Sequence, residues 1–536
     1  MRVGSRAHRT IEAGSTPGRR LHRGRTTAVV VFISLVFLFP LGYLLWGTLT
    51  LGGDFWGVLT SRRTVVPLGK SLLIAVTTAA AAAGLGTILA VLVTRTDLPG
   101  RRILQVLLAL PLVIPSFVGA TALLAAFGPG ALITTLPRLE GYWGAFVVLT
   151  LLTYPYVYLP VLGRLSTTSP SLEEAARQLG SGPGRILFRV VLPQLRTTVA
   201  AGTMLVFLYA LSDFGAVSLM RYDTITRAIF SSRLSDRQTS LTLGLVLAVM
   251  ALGVAVVERA LAARSREVRA LGSRQPTYGL GRARGPAVAV VWLVLLTALA
   301  TPVGVFLVWI LRGSATIGAG YAGIGDGMGF LVAPTINSAL AAATAGFVAA
   351  VVVLPVAFSV VRRRTLVAEG ASAAVTSVFA LPGLVVALAV GFWAIQVPDP
   401  LAGLYQSFPL LIFAYVLHFG AQSMRSSQAA IAAVPERFDD AARTLGVSSR
   451  RRILEIDVPL IAPGLITGGG LVLLSTLKEL PATLLLAPTG FETLATRIWG
   501  AAEDGFYAEV GISSLVLILL SALLTWFLIL RPELTR

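Results

Sequence analysis

Residues 173–195 read EEAARQLGSGPGRILFRVVLPQL, and residues 439–461 read DDAARTLGVSSRRRILEIDVPLI, the second copy starting 266 positions after the first. Glu174-Ala175-Ala176 is followed by Gly180, Val190 and Leu192-Pro193. At the same spacings, Asp440-Ala441-Ala442 is followed by Gly446, Ile456 and Val458-Pro459. Pro170 and Pro435 suit the first turn of a helix, and Ser171 with Glu174 has capping-box spacing. Leu172, Ala175, Ala176 and Leu179 share one face; Phe438, Ala441, Ala442 and Leu445 form the matching one. Gly180 and Gly446 are placed to end each helix in a left-handed conformation. The expectation is a two-helix elbow with an alanine face and a bulky knob, present twice. One copy could be a solvated amphipathic connector; two at fixed spacing point to a docking site used twice.

These polar passages interrupt an apolar chain. Of 536 residues, 55% are hydrophobic and 13% charged, and the mean hydropathy is +0.81. A soluble protein of this length exposes far more charge. Apolar runs of about twenty residues recur, enough to cross a hydrocarbon core of roughly 30 Å, and they lack the alternation of a transmembrane barrel. The formal charge of +19 comes from arginines lying between the runs. It therefore marks cytoplasmic loops rather than a nucleic-acid surface. With no cysteine, disulfides, thiolate metal sites and iron–sulfur clusters are excluded. His8, His22 and His418 are too scattered to suggest a metal site.

Runs near 27–49, 70–94, 103–127, 141–163, 197–217 and 239–261 form one set of six. Runs near 286–312, 335–361, 372–396, 404–424, 460–477 and 508–530 form a second. With both termini inside, arginine-rich loops fall on the cytoplasmic side, although Arg62, Arg63 and the three arginines of 218–238 depart from the rule. The expected division is a basic tail (1–26), a first half (27–261), an arginine-rich linker (262–285), a second half (286–530) and a short tail (531–536). An even number of spans per half implies a pseudo-two-fold axis along the membrane normal, with any pathway between the halves. KSLLIAVTTAAAAAG from Lys70 echoes NSALAAATAGFVAAV from Asn337. A Leu-Pro lies in the third span of each half, at Leu110-Pro111 and Leu381-Pro382.

The duplicated cassette resembles the signature of inner-membrane permeases of binding-protein-dependent (type I) ABC importers, here fused into one chain. The resemblance covers both halves and implies an all-α polytopic fold of about twelve spans in a bacterial cytoplasmic membrane. It further implies that Leu172, Glu174, Ala175, Ala176, Gly180, Phe438, Asp440, Ala441, Ala442 and Gly446 dock two copies of a cytoplasmic ATPase. A solute-binding protein would dock outside. Asp440 in place of Glu keeps the charge. The chain itself would then bind no cofactor and would be no enzyme; ATP and magnesium would belong to the partner subunit. PLGKS at 67–71 has Thr64 where a phosphate-binding loop needs its first glycine, and GLGRARG at 279–285 lacks a properly spaced third glycine.

Asp213 and Glu479 also differ by 266. Fifteen helical residues from Thr197 rise roughly 22 Å, placing Asp213 towards the outer side, where an acid is costly unless it faces protein or water. LSDFGAVSL, YDTITRAI and KELPATLLL with GFETLATRIW resemble the ferric-iron branch of these permeases. Fused permeases for thiamine and aminophosphonates are the nearest alternatives. Asp213, Tyr222, Asp223, Glu479 and Glu492 are the candidate pathway residues. Asp213 and Glu479 are the candidate metal contacts, since a hard trivalent cation favours carboxylate and phenolate oxygens. Equally, Lys478 beside Glu479, and Arg221 beside Tyr222 and Asp223, could serve to hold the outer loops together or to contact the binding protein. An ion-coupled secondary transporter is the competing class, and it needs no paired elbows.

Overall fold

Inside a bilayer the backbone must close its hydrogen bonds within each segment, and the chain does so with helices. The computed structural model describes residues 17–50, 55–128, 132, 138–168, 170–263, 276–315, 329–435 and 437–527. The expected tail beyond 530, most of the amino-terminal tail and the middle of the linker lie outside these. Among the described residues there is no extended strand, and one isolated parallel bridge joins Thr96 to Tyr278.

Among the described residues, nine helical segments are long and apolar enough to cross a membrane. They are span one (Pro17–Thr50), two (Arg62–Arg95), four (Gly141–Thr167), five (Leu192–Ser212), six (Arg237–Ala263) and seven (Gly281–Arg312). The others are eight (Gly329–Arg363), eleven (Val458–Leu477) and twelve (Tyr507–Thr525). Span ten (Phe408–Ala433) has 26 residues, enough to cross, but is more polar and largely buried.

The third span of each half departs from the expected continuous helices 103–127 and 372–396. Arg101–Val113 meets Ser116–Phe127 at 98°, and Leu366–Phe379 meets Gly383–Ala394 at 102°. Proline drives the residue before it out of the helical region. Ile114, before Pro115, accordingly has ψ 119°. Pro115 and Pro382 are both extended N-caps of the second limb (ψ 147° and 140°). The structural equivalents are therefore Pro115 and Pro382, correcting the sequence pairing of Pro111 with Pro382.

The two halves interlock through their first spans. Span one packs on the second half: the Phe39 and Trp393 rings meet edge-to-face at 5.3 Å, and the Tyr43 hydroxyl donates to Gln396 Oε1 at 2.8 Å. Span seven packs on the second limb of span three and on span twelve. Within each half, spans four and five, or ten and eleven, approach through equivalent glycines. A Cβ on Gly202 would stand 2.9 Å from the Tyr156 carbonyl, and one on Gly468 3.0 Å from the Ser423 backbone. Such close contact through small residues holds helices together where the hydrophobic effect cannot.

Candidate functional site

Each elbow forms as its sequence implies. Elbow one is Ser171–Gln178, and Gly180 follows at φ +79°. Elbow two is Arg437–Thr444, with Gly446 at φ +71°. The Ser181 N–H donates to the Ala176 carbonyl and the Val447 N–H to the Ala442 carbonyl, both at 3.0 Å, the closing bond of a Schellman turn. The capping-box spacing is not used, because the helix starts at Ser171 with Pro170 as its N-cap. Leu172, Glu174 and Ala175 are exposed and Ala176 half-buried. Leu179 is 86% and Leu445 81% exposed, Phe438 is also exposed, and Ala442 is buried. The knobs thus face outward while the second alanine of each copy turns towards the membrane helices. The side chains of Asp440 and Ala441 lie outside the described residues.

The elbows join the membrane through matching π-helical turns, Leu187–Val191 and Ile453–Asp457. Pro193 and Pro459 follow, at the start of spans five and eleven. Proline has no N–H to donate, and a widened turn lets the chain pass it without ending the helix.

The acid beside Glu174 carries a contact that the sequence reading missed. Glu173 is 2% exposed and its Oε1 pairs with Arg95 Nη2 at 3.0 Å, Arg95 being 1% exposed. The Tyr278 hydroxyl donates to the other oxygen, Oε2, at 2.7 Å. Burial first, and then the Glu173 carboxylate, push the Tyr278 phenol upward, so it stays a donor.

Between the halves lies a cavity of about 320 Å³. Residues 266 positions apart line it in pairs: Tyr209 with Ser475, Ser212 with Lys478, and Asp213 with Glu479. It therefore sits on the pseudo-two-fold axis. Asp213 Oδ1 accepts the Ala216 N–H at 2.9 Å and the Val217 N–H at 3.2 Å. Glu479 Oε1 accepts the Ala482 N–H at 3.1 Å. Each acid thus caps a short helix, Gly215–Leu219 or Pro481–Leu486, that follows its span. Ser116 sits beside the Asp213 carboxylate. At the equivalent place Gly383 leaves room for Glu479, whose Oε1 would be 2.5 Å from a Cβ there. Tyr209 lies within electrostatic reach of both acids.

Breaking span three frees backbone carbonyls, and side chains satisfy them. The Tyr154 hydroxyl donates to Leu108 at 2.7 Å, Tyr158 to Gln105 at 3.0 Å, and Lys478 Nζ, crossing from the other half, to Leu112 at 3.4 Å. Irregular backbone at this depth is tolerated where it is buried or lines a cavity. On the side away from the elbows Phe214 packs on Phe230 at 4.6 Å and, across the halves, on Trp499 at 5.4 Å.

The other candidate pathway residues do not line the cavity. The Tyr222 hydroxyl donates to the Lys70 carbonyl at 3.3 Å. Asp223 pairs with Arg227 and with Lys70, and Glu492 with Arg497 at 3.3 Å. Asp223 and Glu492 each precede the N-cap threonine, Thr224 or Thr493, of a short outer helix. Those helices are pinned alike: the Ile225 N–H donates to Ser71 Oγ and the Leu494 N–H to Ser338 Oγ, both at 2.8 Å. The Lys70-Ser71 and Asn337-Ser338 echo was the visible trace of this anchor. No group of three His, Cys, Asp or Glu side chains able to hold a metal occurs among the described residues.

Paired elbows, broken spans and an axial cavity are what two copies of one permease unit require. Residues 82–267 and 356–530 each match the family described as "Binding-protein-dependent transport system inner membrane component". The chain belongs to this family. It is 27% identical to the Fe(3+)-transport system permease protein FbpB 2 of Haemophilus influenzae, over 93% of this chain and 96% of that protein. It is 33% identical to the molybdenum transport system permease protein ModB of Mycobacterium tuberculosis, over 37% of this chain and 79% of that one. It is 30% identical to the sulfate transport system permease protein CysT of Escherichia coli, over 38% of this chain and 74% of that one. The chain is thus a multi-pass inner-membrane permease of an ABC importer, a transport component rather than an enzyme.

Proposed function

We propose that this permease imports ferric iron, delivered by an extracytoplasmic solute-binding protein and driven by two copies of a separate ATPase that holds ATP and magnesium. The observation that carries the reading is the axial cavity with one acid from each half, Asp213 and Glu479, beside the phenols of Tyr156 and Tyr209. These are the oxygen donors a hard cation favours. The end-to-end relative named for Fe(3+) transport supports it. The division into halves at 27–261 and 286–530, with both termini on the elbow side, fits the mechanism. ATP-driven closure of the ATPase pair draws Leu172 and Phe438 together and tilts spans five and eleven through the π turns. The Phe214–Trp499 contact then parts, so that substrate enters from the binding protein, and hydrolysis resets the path inward.

Import of a tetrahedral oxyanion is the second reading. Lys478 in the cavity favours it, as do the relatives named for molybdenum and sulfate transport. ATP-dependent uptake into proteoliposomes separates the two. Labelled ferric iron should accumulate, and deletion of Glu174–Gly180 should abolish uptake. Accumulation of molybdate or sulfate in its place overturns the iron assignment and keeps the permease.

A further inference from the structure

The linker between the halves returns to elbow one. The Tyr278 N–H donates to the Arg95 carbonyl at 2.8 Å, and the Asp97 N–H donates to the Tyr278 carbonyl at 3.2 Å. The Leu280 N–H donates to Asp97 Oδ1 at 2.9 Å. The Tyr278 side chain runs the other way: its hydroxyl meets Glu173 Oε2, and the Arg177 guanidinium lies 5.1 Å from its ring centre. One residue of the linker therefore bonds the end of span two through its backbone and elbow one through its side chain. Three residues later, at Gly281, span seven begins. Each carboxylate oxygen of Glu173 has a partner, Arg95 on one and Tyr278 on the other, so elbow one cannot turn about its axis without breaking a buried contact.

We infer that Tyr278 is a positioning residue: it makes the linker a strap that fixes the orientation of elbow one against span two and ties that elbow to the start of span seven. This rests on the transport reading only for its consequence, that docking of the ATPase at elbow one moves span seven directly. At elbow two, Arg362 Nη2 donates to the Val434 carbonyl at 2.8 Å, and the linker, present once in the chain, bonds elbow one. A fused permease with a strap on elbow one has two non-equivalent docking sites for identical ATPase copies.

Hydrogen–deuterium exchange on the purified full chain tests the strap. Tyr278→Phe removes one hydrogen bond to a charged acceptor and leaves the ring and the backbone bridge. Amide exchange over residues 171–181 should rise about tenfold, with residues 437–447 unchanged. A second arm reads coupling in proteoliposomes with the ATPase and binding protein. Tyr278→Phe should raise the ATP hydrolysed per ferric ion imported, at unchanged affinity for the ATPase, which a purely stabilising contact would not do. Unchanged exchange at elbow one in both Tyr278→Phe and Tyr278→Ala overturns the strap, and so does an equal rise at both elbows. An unchanged ATP-to-iron ratio overturns its role in coupling. If the wild-type chain imports no iron while the exchange effect is present, the iron reading fails and the strap stands.

Discussion

Two neighbouring acids, Glu173 and Glu174, show how little residue type alone decides. Glu173 is buried against Arg95, whereas Glu174 is exposed. Glu173→Ala strands a buried guanidinium and should cost about 3–5 kcal/mol, seen as a lowered thermal midpoint and poor expression. Glu174→Ala should leave the midpoint unchanged and weaken ATPase binding instead. The sequence displayed both acids but carried no sign of which one faces inward, because Arg95 and Tyr278 lie 78 and 105 positions away. Asp213 and Glu479 were legible as a pair through their shared register. Their helix-capping role was not, since it depends on a backbone reversal after the span. Gly383→Ala should displace the Glu479 carboxylate, with which its Cβ would collide. A several-fold loss of uptake with normal expression is the expected result, and full uptake would remove Glu479 from the pathway.

At the level of single elements, the elbows and most spans could be read directly, because hydrophobic length and a terminal glycine are local properties. Gly180→Ala and Gly446→Ala each force a side chain into the left-handed region, costing about 1–2 kcal/mol. The expected outcome is faster amide exchange in the affected elbow alone. The breaks in spans three and nine were masked by apolarity: Leu, Ile and Val continue through Pro115 and Pro382 as though the helix did. Span six supplies a pH test. Asp236, just before it, accepts the Thr239 hydroxyl at 2.6 Å and the Thr239 N–H at 2.9 Å. These bonds, the hydroxyl's first, hold its carboxyl below the ordinary range. A depressed acid adds stability above its unfolded pKa and loses it as pH falls through the folded value. Protection of the first turn of span six should therefore hold at neutral pH and fall below about pH 4, after correction for intrinsic exchange. Asp236→Ala should abolish that dependence.

Across the whole molecule, duplication was written in the 266-residue register, and the axial cavity followed from it. The crossing of spans one and seven was not legible, because a lipid-facing helix and one packed on the opposite half need the same apolar composition. With no native cysteine, Leu172→Cys and Phe438→Cys give two unique spin-label sites, one on each elbow. Their separation should shorten when nucleotide is added to the assembled transporter; a constant distance would rule out elbow-driven gating.

The crossing of span one also sets the order in which the protein can be completed. Its neighbours in the second half lie on spans eight and nine, Gly329–Arg363 and Leu366–Phe379, roughly 300 residues after span one ends. At about 5–20 residues per second, the ribosome needs on the order of half a minute to deliver them. During that interval Arg237 of span six can already donate to the Tyr43 hydroxyl, while the face of span one towards Trp393 stays uncovered. Completion of this chain therefore includes a late step, in which the second half covers the face of span one that the first half leaves open.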